Sequence, residues 1–98
     1  VIREARIEKH LRDEIKKLGG CAYKFVSPGN CGVPDRLVLL PGGSAMFVEL
    51  KAPGKKSTAL QEKRQQDIRA LGFNVTVIDT VAGVSEFVAR CREGMRGG

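Results

Sequence analysis

Residues 35–51 constrain this chain most tightly. They read Asp-Arg-Leu-Val-Leu-Leu, then Pro-Gly-Gly-Ser, then Ala-Met-Phe-Val-Glu-Leu-Lys. Two β-type runs separated by a proline-glycine turn fold back on each other as a hairpin. Side chains alternate along a strand, so Glu49 and Lys51 share one face and Leu50 takes the other. The apolar residues Met46, Phe47 and Val48 lead directly into that pair, and charged groups at the end of an apolar strand lose hydration unless something charged completes them. Asp35 opens the first run and can join them only in the right register. A strict two-residue turn at Gly42-Gly43 would set Asp35 opposite Leu50, on the wrong face. Convergence therefore requires a three- or five-residue connection with a bulge, or an Asp35 just outside the regular ladder.

Helical and strand patterns flank the hairpin. From about Ile2 to Leu18, the residues Ile7, Leu11, Ile15 and Leu18 recur at helical spacing, which predicts an amphipathic helix stopped by Gly19-Gly20. A short strand over Cys21 to Val26 follows, then the turn-rich run Ser27-Pro28-Gly29-Asn30-Cys31-Gly32. After the hairpin, Ala52-Pro53-Gly54 breaks the chain, and Thr58 with Gln61 has the form of a capping box opening a helix to about Leu71. Phe73 to Ile78 is expected as a strand. Val84, Phe87, Val88 and Cys91 then mark a final helix by their i, i+3, i+4, i+7 spacing. The predicted order is α-β-β-β-α-β-α, an α/β fold, with only the glycine-rich last residues expected to fray.

A chain of 98 residues has room for one core, so a single domain, 1–98, is expected. No apolar run approaches the roughly 20 residues that span a bilayer. The 17 Lys and Arg against 11 Asp and Glu give a net charge of +6, which favours a polyanionic partner, nucleic acid foremost. Cys21, Cys31 and Cys91 are too widely spaced for a zinc motif and read as free thiols in a reducing compartment. Position 1 is Val rather than Met, which leaves room for residues ahead of it.

Two carboxylates and a lysine are what phosphodiester hydrolysis with a hard divalent cation requires. Mg²⁺ or Mn²⁺ takes oxygen ligands and usually keeps several waters. Asp35 and Glu49 would be those ligands, with the backbone carbonyl of Leu50 as a third. Lys51 would hold the attacking water and offset charge developing in the transition state. Spacing alone leaves a second reading open, in which Glu49 and Lys51 form a surface salt bridge and Asp35 is an ordinary turn residue.

A family resemblance separates the two. The segments Gly32-Val33-Pro34-Asp35-Arg36 and Phe47-Val48-Glu49-Leu50-Lys51-Ala52-Pro53-Gly54 resemble the signature of the virus-type replication-repair nuclease (VRR-NUC) domain, a branch of the PD-(D/E)XK nucleases. The likeness covers nearly the whole chain and extends to the opening helix and to Lys24-Phe25-Val26-Ser27-Pro28-Gly29. It implies a restriction-endonuclease-like core with a central mixed sheet flanked by helices, and a Mg²⁺- or Mn²⁺-dependent DNA nuclease. For short members, often phage-encoded, it further implies a homodimer that cuts branched DNA such as four-way Holliday junctions, in the cytoplasm of a bacterial or phage-infected cell.

The same resemblance implies roles for further residues. Gln61 is expected near the site, and its part in a capping box is compatible with that. A glutamate of the first helix should also reach the site. Glu4 falls within the apolar stripe and Glu8 at its rim, so Glu4 is preferred, as a further metal ligand, with Glu8 close behind. Lys24 is expected near the phosphate. Lys55, Lys56, Lys63, Arg64 and Arg69 form a basic stretch suited to backbone contacts with DNA. His10 is expected on the exposed side of its helix, with no role, and Tyr23 and Phe25 are too few for a base-stacking platform. Competing readings are an inactive DNA-binding or structural module of the same fold, and a flap-specific or RNA-directed nuclease.

Overall fold

The structure, a computed structural model, describes residues 4–97. Its elements are α1 (Glu4–Lys17), β1 (Cys21–Lys24), β2 (Arg36–Leu40), β3 (Ser44–Leu50), α2 (Ala59–Ala70), β4 (Val75–Ile78) and α3 (Val81–Gly97). This is the α-β-β-β-α-β-α order that the sequence predicts. The strands form one mixed sheet in the order β1-β2-β3-β4, antiparallel except for the parallel β3–β4 pair. The two residues expected to begin α1, Ile2 and Arg3, lie outside the described residues. α3 continues through Gly97 into the segment expected to fray. Among the described residues no helix is long and apolar enough to cross a membrane.

α1 follows from its pattern. Ile7, Leu11 and Ile15 are completely buried, while the polar face carries the pairs Arg12–Glu8, Lys9–Asp13 and Lys17–Glu14 at i,i+4 or i,i+3 spacing. Glu4 in the first turn and Lys16 and Lys17 in the last complement the helix dipole. α1 and α3 cover one face of the sheet, where Val38, Leu40, Val48, Leu50 and Ile78 join Val84, Phe87, Val88 and Cys91 in a single core. His10 is not on an exposed side. It is half-buried and stands 3.4 Å from Ser85 Oγ, because α3 packs against that flank of α1. All three cysteines are free.

The hairpin register is the feature that shapes the site. Leu40 pairs with Ser44 and Arg36 with Val48, in unbroken steps between, so the connection is the three residues Pro41–Gly43. Gly42 and Gly43 take φ of 91° and 87°, a region closed to most side chains. No bulge interrupts the pairing. Asp35 lies one residue outside the ladder, and continuing the register sets it opposite Glu49. The first strand is shorter than expected, although Phe25 N–H still donates to the Asp35 carbonyl at 2.8 Å. β4 likewise begins at Val75, with Phe47 N–H donating to the Asn74 carbonyl at 2.9 Å.

Candidate active site at the end of the hairpin

The face opposite α1 and α3 carries the row Phe25, Asp35, Glu49 and Val77, built from the hairpin register, the Phe25–Asp35 bond and the Glu49–Val77 pairing. Glu49 is 5% exposed. Phe47 precedes Glu49 by two residues on the same face and packs edge-on against Phe25 and Phe73, with ring centroids 5.7 and 5.9 Å apart. Burial pushes the Glu49 carboxyl above the usual glutamate range, and the charge of Asp35 pushes it further. Lys51 pulls the other way with its ammonium 3.5 Å from Glu49 Oε2.

The Asp35 carboxylate is held by β3 and by the next residue of its own chain segment. Leu50 N–H donates to Oδ1 at 2.9 Å, and Arg36 Nη1 lies 3.3 Å from Oδ2. The N–H and carbonyl of one strand residue project to the same edge, so the Leu50 carbonyl also faces the Asp35 side. Lys51 donates to Gln61 Oε1 at 2.6 Å, and that oxygen also accepts from Thr58 N–H at 2.9 Å. Gln61 N–H returns the bond to Thr58 Oγ1, completing the capping box. Gln61 Oε1 thus closes the capping box of α2 and holds the Lys51 side chain with one atom. Asp35, Glu49, Lys51 and Gln61 therefore share one space at the carboxyl end of β3.

The helix glutamates separate. Glu4 is exposed and makes no ion pair with another described residue, since the packing of α1 begins one turn later at Ile7. Glu8 is half-buried, bonded to Arg12 Nη1 at 2.9 and 3.1 Å, with Oε2 3.9 Å from Arg36 Nε. The structure therefore links Glu8, rather than the preferred Glu4, to the site. Lys24 pairs with Arg36 in the register, on the sheet face opposite the two acids. It is exposed on the edge strand.

The basic stretch divides in the same way. Lys55 and Lys56 are exposed and free of ion pairs with described residues. Lys63 pairs with Asp67 at 3.3 Å. Arg64 Nε donates to the Cys31 carbonyl at 3.1 Å, and Arg69 Nη2 to the Val75 carbonyl at 2.8 Å, so both brace the fold. Arg64 works beside Gly32, whose φ is +85° and where a Cβ would stand 2.9 Å from Leu60 Cγ. That contact seats the loop before Asp35 against α2. Sequence reasoning assigned nothing to Arg36. The signal was present, since a charge one residue after Asp35 falls on the core face of β2.

The donor set suits a hard divalent cation. Among the described residues no group of three or more His, Cys, Asp and Glu converges, so the protein would contribute the Asp35 and Glu49 carboxylates, with the Leu50 carbonyl beside them. Mg²⁺ commonly keeps several waters around one or two carboxylates. A cation here would also relieve the repulsion that Glu49 feels from Asp35.

Comparison with known proteins agrees with this geometry. No family model matches the chain. It is 58% identical over 80 residues to "Putative nuclease p44" of Acyrthosiphon pisum secondary endosymbiont phage 1, a match covering 82% of this chain and 86% of the relative. A solved structure described as a VRR_NUC domain superposes with a TM-score of 0.83 at 31% identity, covering 91% of this chain and 97% of the other. The chain belongs to the VRR-NUC domain family.

Proposed function

We propose that this chain hydrolyses DNA phosphodiesters in a reaction that depends on Mg²⁺ or Mn²⁺ held by Asp35, Glu49 and the Leu50 carbonyl. The observation that carries the reading is the convergence of two carboxylates and Lys51, with Glu49 buried and raised in pKa beside Asp35. A salt bridge evolved only for the surface would not need a second acid at its back. The cation, when bound, supplies Lewis-acid polarisation of the phosphoryl oxygen and a more acidic water.

The residues supply the rest. Asp35 is fixed by the Leu50 N–H, so its carboxylate is oriented before any ligand arrives. Glu49 is almost fully buried, and that burial strengthens electrostatic interactions there. Lys51, tethered by Gln61 and paired with Glu49, retains a further N–H donor to orient an attacking water or to meet charge growing on the phosphoryl group. Lys55 and Lys56 lie just beyond Lys51 in the chain and suit contacts with the phosphate backbone.

Branched DNA, with four-way junctions foremost, is the proposed substrate, and a homodimer the proposed assembly. The sheet face that bears the site supports the second point. Tyr23, Leu39, Phe73 and Val77 are large apolar residues left substantially exposed on or beside it, and a two-fold partner would cover them. Light scattering on the purified chain and on Leu39→Glu tests this, with a fall from dimer to monomer mass expected. A monomeric wild type would refute the assembly.

The decisive experiment compares cleavage of a labelled four-way junction with linear duplex and with an RNA duplex, in Mg²⁺, Mn²⁺ or EDTA. Wild type should cut the junction only with metal, and Asp35→Asn and Lys51→Ala should not. Metal-independent cutting, or none by wild type, would overturn the reading, the latter in favour of an inactive DNA-binding module. Preferential cutting of RNA would overturn the substrate.

A further inference from the structure

We propose that Arg36 is a positioning residue for the cleavage centre: it fixes the Asp35 carboxylate, and Glu8 acts on the site through it rather than as a ligand. The inference rests on the nuclease reading above and names a residue that reading does not use.

Arg36 pairs with Val48 at the start of β2, on the face covered by α1, and its side chain is 13% exposed. A guanidinium in that position needs partners, because burial strips its water. It finds them behind Asp35. Nη1 donates to the Asp35 carbonyl at 2.8 Å and stands 3.3 Å from Oδ2. Leu50 N–H takes Oδ1. The two carboxylate oxygens are thus steered by donors from two different strands, which fixes the rotation of the group. A carboxylate oxygen can accept more than one partner, so each keeps capacity for a cation.

Glu8 completes the arrangement from α1. Its carboxylate stands between two guanidiniums, bonded to Arg12 and 3.9 Å from Arg36 Nε. Arg36 Nε is buried and has no hydrogen-bond partner among the described residues. Glu8 Oε2 is the carboxylate oxygen nearest to fill that vacancy, and a small rotation toward Arg36 would do so. The chain of contacts runs Arg12, Glu8, Arg36, Asp35 and the Leu50 N–H. Glu8 offsets part of the charge of Arg36, which lessens the opposition of that guanidinium to a cation beside Asp35.

The test is Mn²⁺ binding to the full chain by titration calorimetry without DNA, using wild type, Arg36→Lys, Glu8→Gln, the double variant and Asp35→Asn. Lysine keeps the charge but loses the planar fork that spans two acceptors. Arg36→Lys should bind Mn²⁺ about tenfold more weakly, the usual cost of losing a group that orients a ligand. Its kcat should fall while KM for DNA holds. Glu8→Gln should weaken binding in the same direction, and the double variant should be no weaker than Arg36→Lys alone, because the two act in series. Wild-type affinity in Arg36→Lys would overturn the proposal, as would losses that multiply in the double variant, since an independent ligand behaves that way. Should Arg36→Lys fail to fold, Arg12→Ala carries the test. It frees Glu8 for Arg36 and should leave Mn²⁺ affinity unchanged or tighter, and a tenfold loss would refute the relay. Undiminished binding in Asp35→Asn would overturn the metal site itself, which separates that failure from this one.

Discussion

Replacing Glu49 with Gln should reverse the stability order of two proteins when metal is added. Glu49 is almost fully buried, and its carboxyl is raised first by burial and then by Asp35. The sign follows from proton linkage. The unfolded chain releases this proton near the ordinary glutamate value, whereas the folded chain holds it longer. Stability therefore falls as pH rises from the ordinary value through the raised one, and it stays reduced at neutral pH. Glutamine is nearly isosteric and carries no charge, so the metal-free variant should unfold at the same temperature as wild type or above it. Metal inverts this. At about 100 times its Kd a cation adds about 2.7 kcal/mol to the state that binds it. In a domain of this size that is worth about 10–20 °C in Tm. Wild type should gain that shift, and Glu49→Gln less than a third of it. The assay is thermal unfolding by circular dichroism, in EDTA and then in Mn²⁺, at neutral pH and again at about pH 5, where protons compete with the metal and the wild-type shift should shrink. A wild type more stable than the variant in EDTA by over about 1 kcal/mol would refute the burial argument. A full metal shift in the variant would refute Glu49 as a ligand.

Lys51→Ala should lower the rate of junction cleavage by about 100-fold or more, while calorimetry shows Mn²⁺ bound at least as tightly as before, because a cation has been removed from the site. Gln61→Ala leaves the Thr58 cap in place but removes the returning half of the capping box and the acceptor for a charged donor, and should cost about 1–3 kcal/mol in urea unfolding. A loss too small to measure would mean that neither bond matters. The double variant Lys55→Ala/Lys56→Ala should weaken DNA binding evenly across sequences and reduce the slope of log K against log salt by about 1.8, two phosphate contacts' worth. An unchanged slope would remove both lysines from the DNA path.

Much of this was legible in the residues because two periods dominate the chain. Ile7, Leu11 and Ile15 at helical spacing, and the alternation through 44–51, each admit one solution once a core must be buried. Glu49 and Lys51 share a face by arithmetic alone. The Asp35 register required the turn length, and the sequence Pro41-Gly42-Gly43-Ser44 fits both a two- and a three-residue connection. The helix glutamates were less legible for a different reason. Glu4 lies on the apolar stripe when α1 is drawn as a wheel, but a wheel carries no information about where along its length the helix meets its neighbours. That contact begins at Ile7, leaving Glu4 in solvent and Glu8 beside Arg36. Arg64 and Arg69 show the same limit, since nothing local distinguishes a cation aimed at phosphate from one bonded to a distant backbone carbonyl.

The Pro41–Gly43 connection acts as a parity check on the enzyme. It stands some five residues of strand from the acids, roughly 17 Å away, and touches none of the chemistry. Yet a slip of one residue in the pairing it sets would bring Asp35 opposite Leu50 or Val48 in place of Glu49, with both strands still strands. A slip of two would restore the face but bring up Lys51 or Phe47 instead, so only one register seats the two acids together.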